Sequence, residues 1–243
     1  MGKFKGVIAG SYDRFLTRKS LLPDGLLGLV KSLKVREIIE FGAGTGTVAV
    51  GLSLEGYDVT GVDFSPEMLK KARQKAKSHN SETVFINGNI IEINLQKQFD
   101  LLLCLGNTLP IIQSARDSRK LLKNCAKHLK PGGSLVFQLL NYDRILKARP
   151  KTFGTEILDD VIRIKQYRYG KTLIDFVVSL IDISKIPPKI TVRRGKIRPW
   201  IKSDLSRELK TAGFGKIRAF GSYSKERFSQ KSKDLIMVCE RDL

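Results

Sequence analysis

The chain has 243 residues, 42% of them hydrophobic and 28% charged, enough apolar matter for one large core. Its 44 Lys and Arg against 24 Asp and Glu leave a net charge of +20, which favours attraction to anions and is silent on fold. No apolar run reaches the ~18 residues of a membrane span, Val7-Ile8-Ala9 is too short for a signal-peptide core, three scattered cysteines make no disulfide framework, and two distant histidines make no zinc site. These exclusions predict a soluble cytoplasmic protein with neither metal nor membrane partner.

Strand-length apolar runs alternate with helix-length amphipathic stretches. Residues 35–41 predict a strand, 47–54 a helix, 57–62 a strand, 66–77 a helix and 83–86 a strand. Residues 99–105 predict an apolar strand, 114–129 a helix and 134–140 another apolar strand. Unbroken apolar strands imply burial on both faces, as in a parallel sheet covered by helices. The alternation predicts a doubly wound α/β fold. Ser65-Pro66-Glu67 sets an N-cap, a first-turn proline and a first-turn acid in order. After Arg149 the rhythm changes to β-rich runs at 161–169, 173–183 and 190–198, which predict an antiparallel insertion over 150–199. A helix over 202–212 and strands near 216–221 and 234–240 return to the core. The expected division is 1–149 as a cofactor-binding core with a helical N-terminal segment, 150–199 as a substrate lid or dimer surface, and 200–243 as the return.

Glu40-Phe41-Gly42-Ala43-Gly44-Thr45-Gly46 follows a strand and opens a helix. Glycines there admit positive φ and close approach of a ligand, and the helix start offers unpaired N–H donors. Asp63 ends the next strand, where an acid can accept from ribose hydroxyls. A dinucleotide fingerprint needs its third glycine where Thr47 stands. Glu40 would repel a pyrophosphate and suits a cationic, phosphate-free cofactor such as S-adenosylmethionine, so a nicotinamide cofactor is disfavoured.

The motif from Glu40 to Gly46, then Gly61-Val62-Asp63-Phe64-Ser65-Pro66-Glu67, the strand at 99–104 and Leu129-Lys130-Pro131-Gly132-Gly133 together resemble class I S-adenosylmethionine-dependent methyltransferases. The resemblance implies a Rossmann-like, mostly parallel seven-stranded sheet with an antiparallel seventh strand between the fifth and sixth. It implies that Gly42, Ala43, Gly44 and Gly46 lie against the methionine part of the cofactor, with Glu40 facing its ammonium. Asp63 would hold the ribose, Phe64 would flank the adenine, and Asn89 with Ile90 would meet the adenine after the third strand. Asn stands at 89 where the family often has Asp. Leu105 closes the fourth strand beside the cofactor. Cys104-Leu105-Gly106-Asn107-Thr108-Leu109 with Leu140-Asn141-Tyr142-Asp143 is similar to small-molecule N-methyltransferases of the glycine and sarcosine type, which adds Tyr12 as a cofactor contact.

Ligands of open α/β sheets bind at the carboxyl ends of strands. Asn107, Tyr142 and Asp143 are therefore the expected substrate-side polar groups. The expected acceptor is a small molecule. RNA is the alternative, because residues 144–243 hold 24 Lys and Arg against 11 Asp and Glu, with Lys189, Arg193, Arg194, Lys196 and Arg198 clustered. Solvated surface or edge-strand protection explains the same charges. A cofactor-binding regulatory protein without catalysis is the reading from another class, and a homodimer is a further expectation.

Overall fold

The computed structural model describes residues 20–243. Helix α1 (Leu26–Ser32) leads into β1 (Glu37–Phe41), α2 (Thr47–Leu54), β2 (Asp58–Asp63), α3 (Pro66–Ser78), β3 (Val84–Asn87) and β4 (Phe99–Cys104). A short 3-10 turn at Leu109–Ile111 precedes α4 (Ala115–Lys127) and β5 (Leu129–Leu140). Helix α5 (Tyr142–Ala148) then leads into β6 (Thr152–Leu158), β7 (Val161–Tyr169), β8 (Ile174–Asp182) and β9 (Lys189–Ile197). The chain closes with α6 (Lys202–Thr211), β10 (Phe214–Phe220) and β11 (Asp234–Arg241).

Seven strands form one sheet in the order β10-β11-β5-β4-β1-β2-β3. Strands β3, β2, β1, β4 and β5 run parallel, while β11 pairs antiparallel with both β5 and β10. The expected Rossmann-like sheet, with its late antiparallel strand between the fifth and sixth, is what forms. Successive side chains enter opposite faces, and both faces are dry. Ile39, Leu102, Leu135, Phe137 and Met237 pack beneath Leu121, Leu205 and Leu209. Their neighbours Ile38, Leu101, Leu103, Val136 and Ile236 pack beneath Leu29, Val50, Leu69 and Ala72. Helix α3 begins as its residues dictate: the Ser65 hydroxyl accepts from Met68 N at 3.3 Å, with Pro66 in the first turn.

Three local expectations need correction. The run 130–133 does not stand outside the fifth strand. It is an irregularity within β5, whose pairing with β4 shifts between Phe99 and Leu101. Residues 142–148 form α5, because the Asn141 side chain accepts from Arg144 N at 3.0 Å and caps a new helix. The insertion has four strands, not three, in the order β6-β7-β8-β9. Strand β6 carries no clear sequence signal, because Gly154 interrupts a short run whose pairing with β7 also shifts.

His128 is buried. Its Nδ1 donates to Asn124 O at 2.9 Å, and its Nε2 accepts from Leu95 N at 3.2 Å. It is a satisfied core residue. Among the described residues no group of three or more His, Cys, Asp and Glu could hold a metal. No described helix is long and apolar enough to cross a membrane.

Candidate active site

The loop after β1 turns at the carboxyl edge of the sheet. Gly42 N and Ala43 N both donate to Val62 O, at 2.8 and 3.0 Å, which ties the loop to the end of β2. Gly42, Gly44 and Gly46 have φ of 79°, 57° and 74°, so all three take the left-handed conformation that glycine tolerates. Their reasons differ. A Cβ at Gly42 would strike Thr108, and one at Gly46 would strike Phe85 and Ala72. A Cβ at Gly44 would meet nothing within 4 Å, so this glycine borders open space. Ala43 is buried, and its methyl packs toward Gly61.

Glu40 lies under this loop and is 4% exposed. Its Oε2 is buried and makes no hydrogen bond among the described residues. Burial pushes its carboxyl up to about 8, with the nearby Asp63 charge adding to the rise and the Ala49 amide opposing it. An orphaned carboxylate of this kind suits a cation and opposes a pyrophosphate.

Asp63 ends β2 and is committed on both oxygens. Oδ2 accepts from Gly44 N and Oδ1 from Ser65 N, each at 2.9 Å. Burial raises its pKa, and these backbone donors oppose the rise. A carboxylate has about four lone-pair sites, so acceptor capacity remains for a hydroxyl donor. Phe64, just beyond, is 48% exposed. Asn89 Oδ1 accepts from Ile91 N at 3.1 Å, so the side chain caps its own turn. Ile90 and Leu105 are buried. Tyr12 lies outside the described residues.

The substrate-side expectations fare differently. Tyr142 is fully buried in the core. Its hydroxyl accepts from Asn107 Nδ2 at 2.9 Å and donates to Asn107 Oδ1 at 3.1 Å. Burial pushes the phenol further above its ordinary value, so it is no proton acceptor near neutrality. Asp143 Oδ2 accepts from Lys202 N at 2.9 Å at the start of α6. Tyr142 and Asp143 thus carry structural bonds in this arrangement. Asn107 lies in the loop after β4. Its φ of 62° and its acceptance of Leu140 N at 3.1 Å hold the loop after β4 against β5.

Several site residues carry no local sequence signal. Gln138 Oε1 accepts from Gly106 N at 2.7 Å, and its Nε2 donates to Asp234 at 3.0 Å, spanning β4, β5 and β11. Lys75 on α3 reaches Thr45 in the glycine loop at 3.4 Å. A cleft of about 1020 Å³ opens between the core and the second sheet. Phe64 and Ile91 line one wall, Ile111–Ser114 the next, and Asp175, Phe176 and Arg194 the wall from the second sheet.

The basic cluster on β9 is divided. Lys196 pairs with Asp175 at 3.6 Å, and Arg198 Nε donates to Gln113 O at 2.8 Å. Arg193 points to the opposite face from Arg194 and Lys196. The five cations are not one patch.

A glycine loop at a helix start, a buried acid beneath it and an acid ending the next strand define a Rossmann-like site for a cationic, ribose-bearing ligand. Residues 38–133 match a family model described as a methyltransferase domain. A glycine/sarcosine N-methyltransferase of Parasynechococcus marenigrum is 32% identical over 126 residues, 51% of this chain and 45% of the relative. A glycine/sarcosine N-methyltransferase of Aphanothece halophytica is 28% identical over 88% of this chain and 80% of its own. Across most such relatives the chain spans about half of their length. The crystal structure of an S-adenosylmethionine-dependent methyltransferase from Clostridium acetobutylicum superposes with a TM-score of 0.83 over 97% of each chain at 19% identity. Residues 38–133 are thus a methyltransferase domain by that model, and the chain has the fold of the class I S-adenosylmethionine-dependent methyltransferase family. S-adenosylmethionine is the cofactor of that family, and the orphaned Glu40 oxygen, the open space at Gly44 and the spare acceptor capacity of Asp63 fit it.

Proposed function

We propose that this protein transfers a methyl group from S-adenosylmethionine to the nitrogen of a small-molecule acceptor. The observation that carries the reading is the buried Glu40 oxygen left without a partner beside the glycine loop. Such an acid is complementary to an ammonium, and two of the relatives above are named as N-methyltransferases of small amino acids. In this reading Glu40 pairs with the ammonium, Gly42, Ala43, Gly44 and Gly46 line the methionine part, and Asp63 receives the ribose hydroxyls. Phe64, Asn89, Ile90 and Leu105 border the adenosine side.

The bound cofactor supplies a methyl on a sulfonium, already an activated leaving group. The acceptor nitrogen's lone pair forms the new N–C bond as the C–S bond breaks. The sulfur leaves as a neutral thioether, and the nitrogen gives up a proton. The protein's share is alignment and exclusion of water, which together can contribute on the order of 7–11 kcal/mol. Asn107, locked by Tyr142 and Leu140, fixes the loop that faces the methyl. Residues 1–149 and 200–243 act as the cofactor-binding body, and 150–199 as a lid over its mouth.

The test incubates the protein with methyl-labelled S-adenosylmethionine and a cell extract divided by size. Label in the small-molecule fraction supports the reading. Label in a nuclease-sensitive large fraction would replace the acceptor with RNA. Tight binding of S-adenosylhomocysteine with no label anywhere would leave the non-catalytic alternative.

A further inference from the structure

The inner face of the second sheet gathers basic side chains. In antiparallel pairing, residues directly opposite share a face. Lys165, Val178 and Arg193 form one cross-strand row, and Tyr167, Phe176 and Gly195 form the next on the same side. Tyr167 and Phe176 pack against the core, so this is the face turned toward the main sheet. Arg163 lies two residues from Lys165 on that face.

Glu156 answers two of these cations. It accepts from Arg163 and, at 3.1 Å, from Lys165 Nζ. Arg193 is left over: its Nε is buried and donates to nothing among the described residues. Lys233 is close enough to repel Lys165. Burial, with the Arg163 and Lys233 charges, brings the Lys165 ammonium down to about 8. Among the described residues, Lys165, Arg193 and Lys233 thus gather beside the Arg163–Glu156 pair on a half-buried surface. Like charges gathered about an arginine whose buried Nε has no partner among the described residues are completed by an anion.

The cluster is beside the proposed methyl site. Lys233 O accepts from Asn141 N at 3.1 Å, where β11 begins against the end of β5. Its neighbour Asp234 is joined through Gln138 to Gly106, in the loop that carries Asn107. Tyr167, one row from Lys165, is near enough to influence Tyr142, which holds Asn107.

We infer that Arg163, Lys165, Arg193 and Lys233 form an oxyanion subsite, and that the methyl acceptor is a small molecule bearing a phosphate or carboxylate held there. The inference rests on the proposed methyl transfer for the word acceptor, and on the charge cluster alone for the anion. It takes the second sheet from a passive lid to the part of the molecule that selects the substrate.

The experiment is calorimetric titration of the full chain at low ionic strength, saturated with S-adenosylhomocysteine, using inorganic phosphate in one arm and acetate in the other. Wild-type protein binds one of the two at a single site. Arg193→Met and Lys165→Met each weaken that binding at least tenfold, while Lys120→Gln, on the outer surface of α4, leaves it within twofold. Preference for phosphate or for acetate names the group the acceptor carries. Binding of neither anion, or equal affinity in all variants, overturns the inference. S-adenosylhomocysteine titrated alone keeps the two readings separable. If it fails to bind wild-type protein, the cofactor reading falls, and the anion arms on the ligand-free chain decide the subsite by themselves.

Discussion

The seven-stranded and four-stranded sheets solve the burial problem differently, and the division of labour follows. In the main sheet, Ile38 and Ile39, or Leu101 and Leu102, are adjacent residues facing opposite sides, and all four have no exposure. Helices cover both faces, so the strands hold the glycine loop, Glu40 and Asp63 on a rigid edge. In the second sheet most residues are half-buried, and Ile157 and Ile190 are 71% and 63% exposed. The family model matches only residues 38–133, within the main sheet. A site built from backbone and buried acids needs a dry, fixed support. A wall that presents side chains for a variable partner does not.

The largest expected effect tests that contrast directly. Phe137→Ala in the centre of β5 empties a fully buried site and should cost ~3–5 kcal/mol in chemical unfolding. Ile157→Ala should stay within about 0.5 kcal/mol. Equal losses would mean that the second sheet is as tightly built as the first.

Next in size is the cofactor site. Asp63→Ala removes a charged acceptor that also braces Gly44 and Ser65, and losing one such bond is worth ~1.5–3 kcal/mol. Calorimetry should show S-adenosylhomocysteine binding weakened about 10- to 100-fold, whereas Lys165→Met leaves it within twofold. Unchanged affinity in Asp63→Ala would take that residue out of the site. Tyr142→Phe comes below this. It strands polar atoms of Asn107 and should lower stability by ~1–2 kcal/mol without moving the pH profile of turnover, as befits a group that never gives up its proton.

Most of the main sheet was legible because its strands are continuous apolar runs bounded by glycine, proline and caps. Glu40, the glycines and Asp63 were legible because spacing alone fixes them at strand ends. The partners of Tyr142 and Asp143 were not. Their neighbour Asn141 is a good N-cap, and Asp143 sits in a first turn, so α5 was present as a local signal but competed with a reading of these residues as the open end of β5. What Tyr142 touches is set by a loop 35 residues away, and no local pattern carries that. The split of the β9 cations is a period-two pattern in plain view, but it acquires meaning only once β9 is known to be an edge strand. The Nε of Arg193 stands out by having no partner among the described residues, which no sequence records.

The finest comparison is between Glu40, buried in the main sheet, and the lysine that burial perturbs in the second, Lys165. Burial disfavours the charged form of both, and an added opposite charge would favour it. For Glu40 the folded-state value is raised to about 8, above the ~4.5 of an exposed glutamate, so the ligand-free fold favours the protonated acid. The contribution to stability is complete below about pH 4.5 and is lost as pH rises through about 8. An ammonium placed against Oε2 reverses the preference, because it favours the carboxylate. Binding of S-adenosylhomocysteine near pH 7 should therefore release a proton, up to one per site, and affinity should tighten as pH approaches about 8. Calorimetry in two buffers of different ionisation enthalpy reads that proton directly. Glu40→Gln should abolish the release and flatten the pH dependence. Binding with no proton exchanged in wild-type protein would mean that the ammonium lies elsewhere, and Glu40 would then belong to the fold alone.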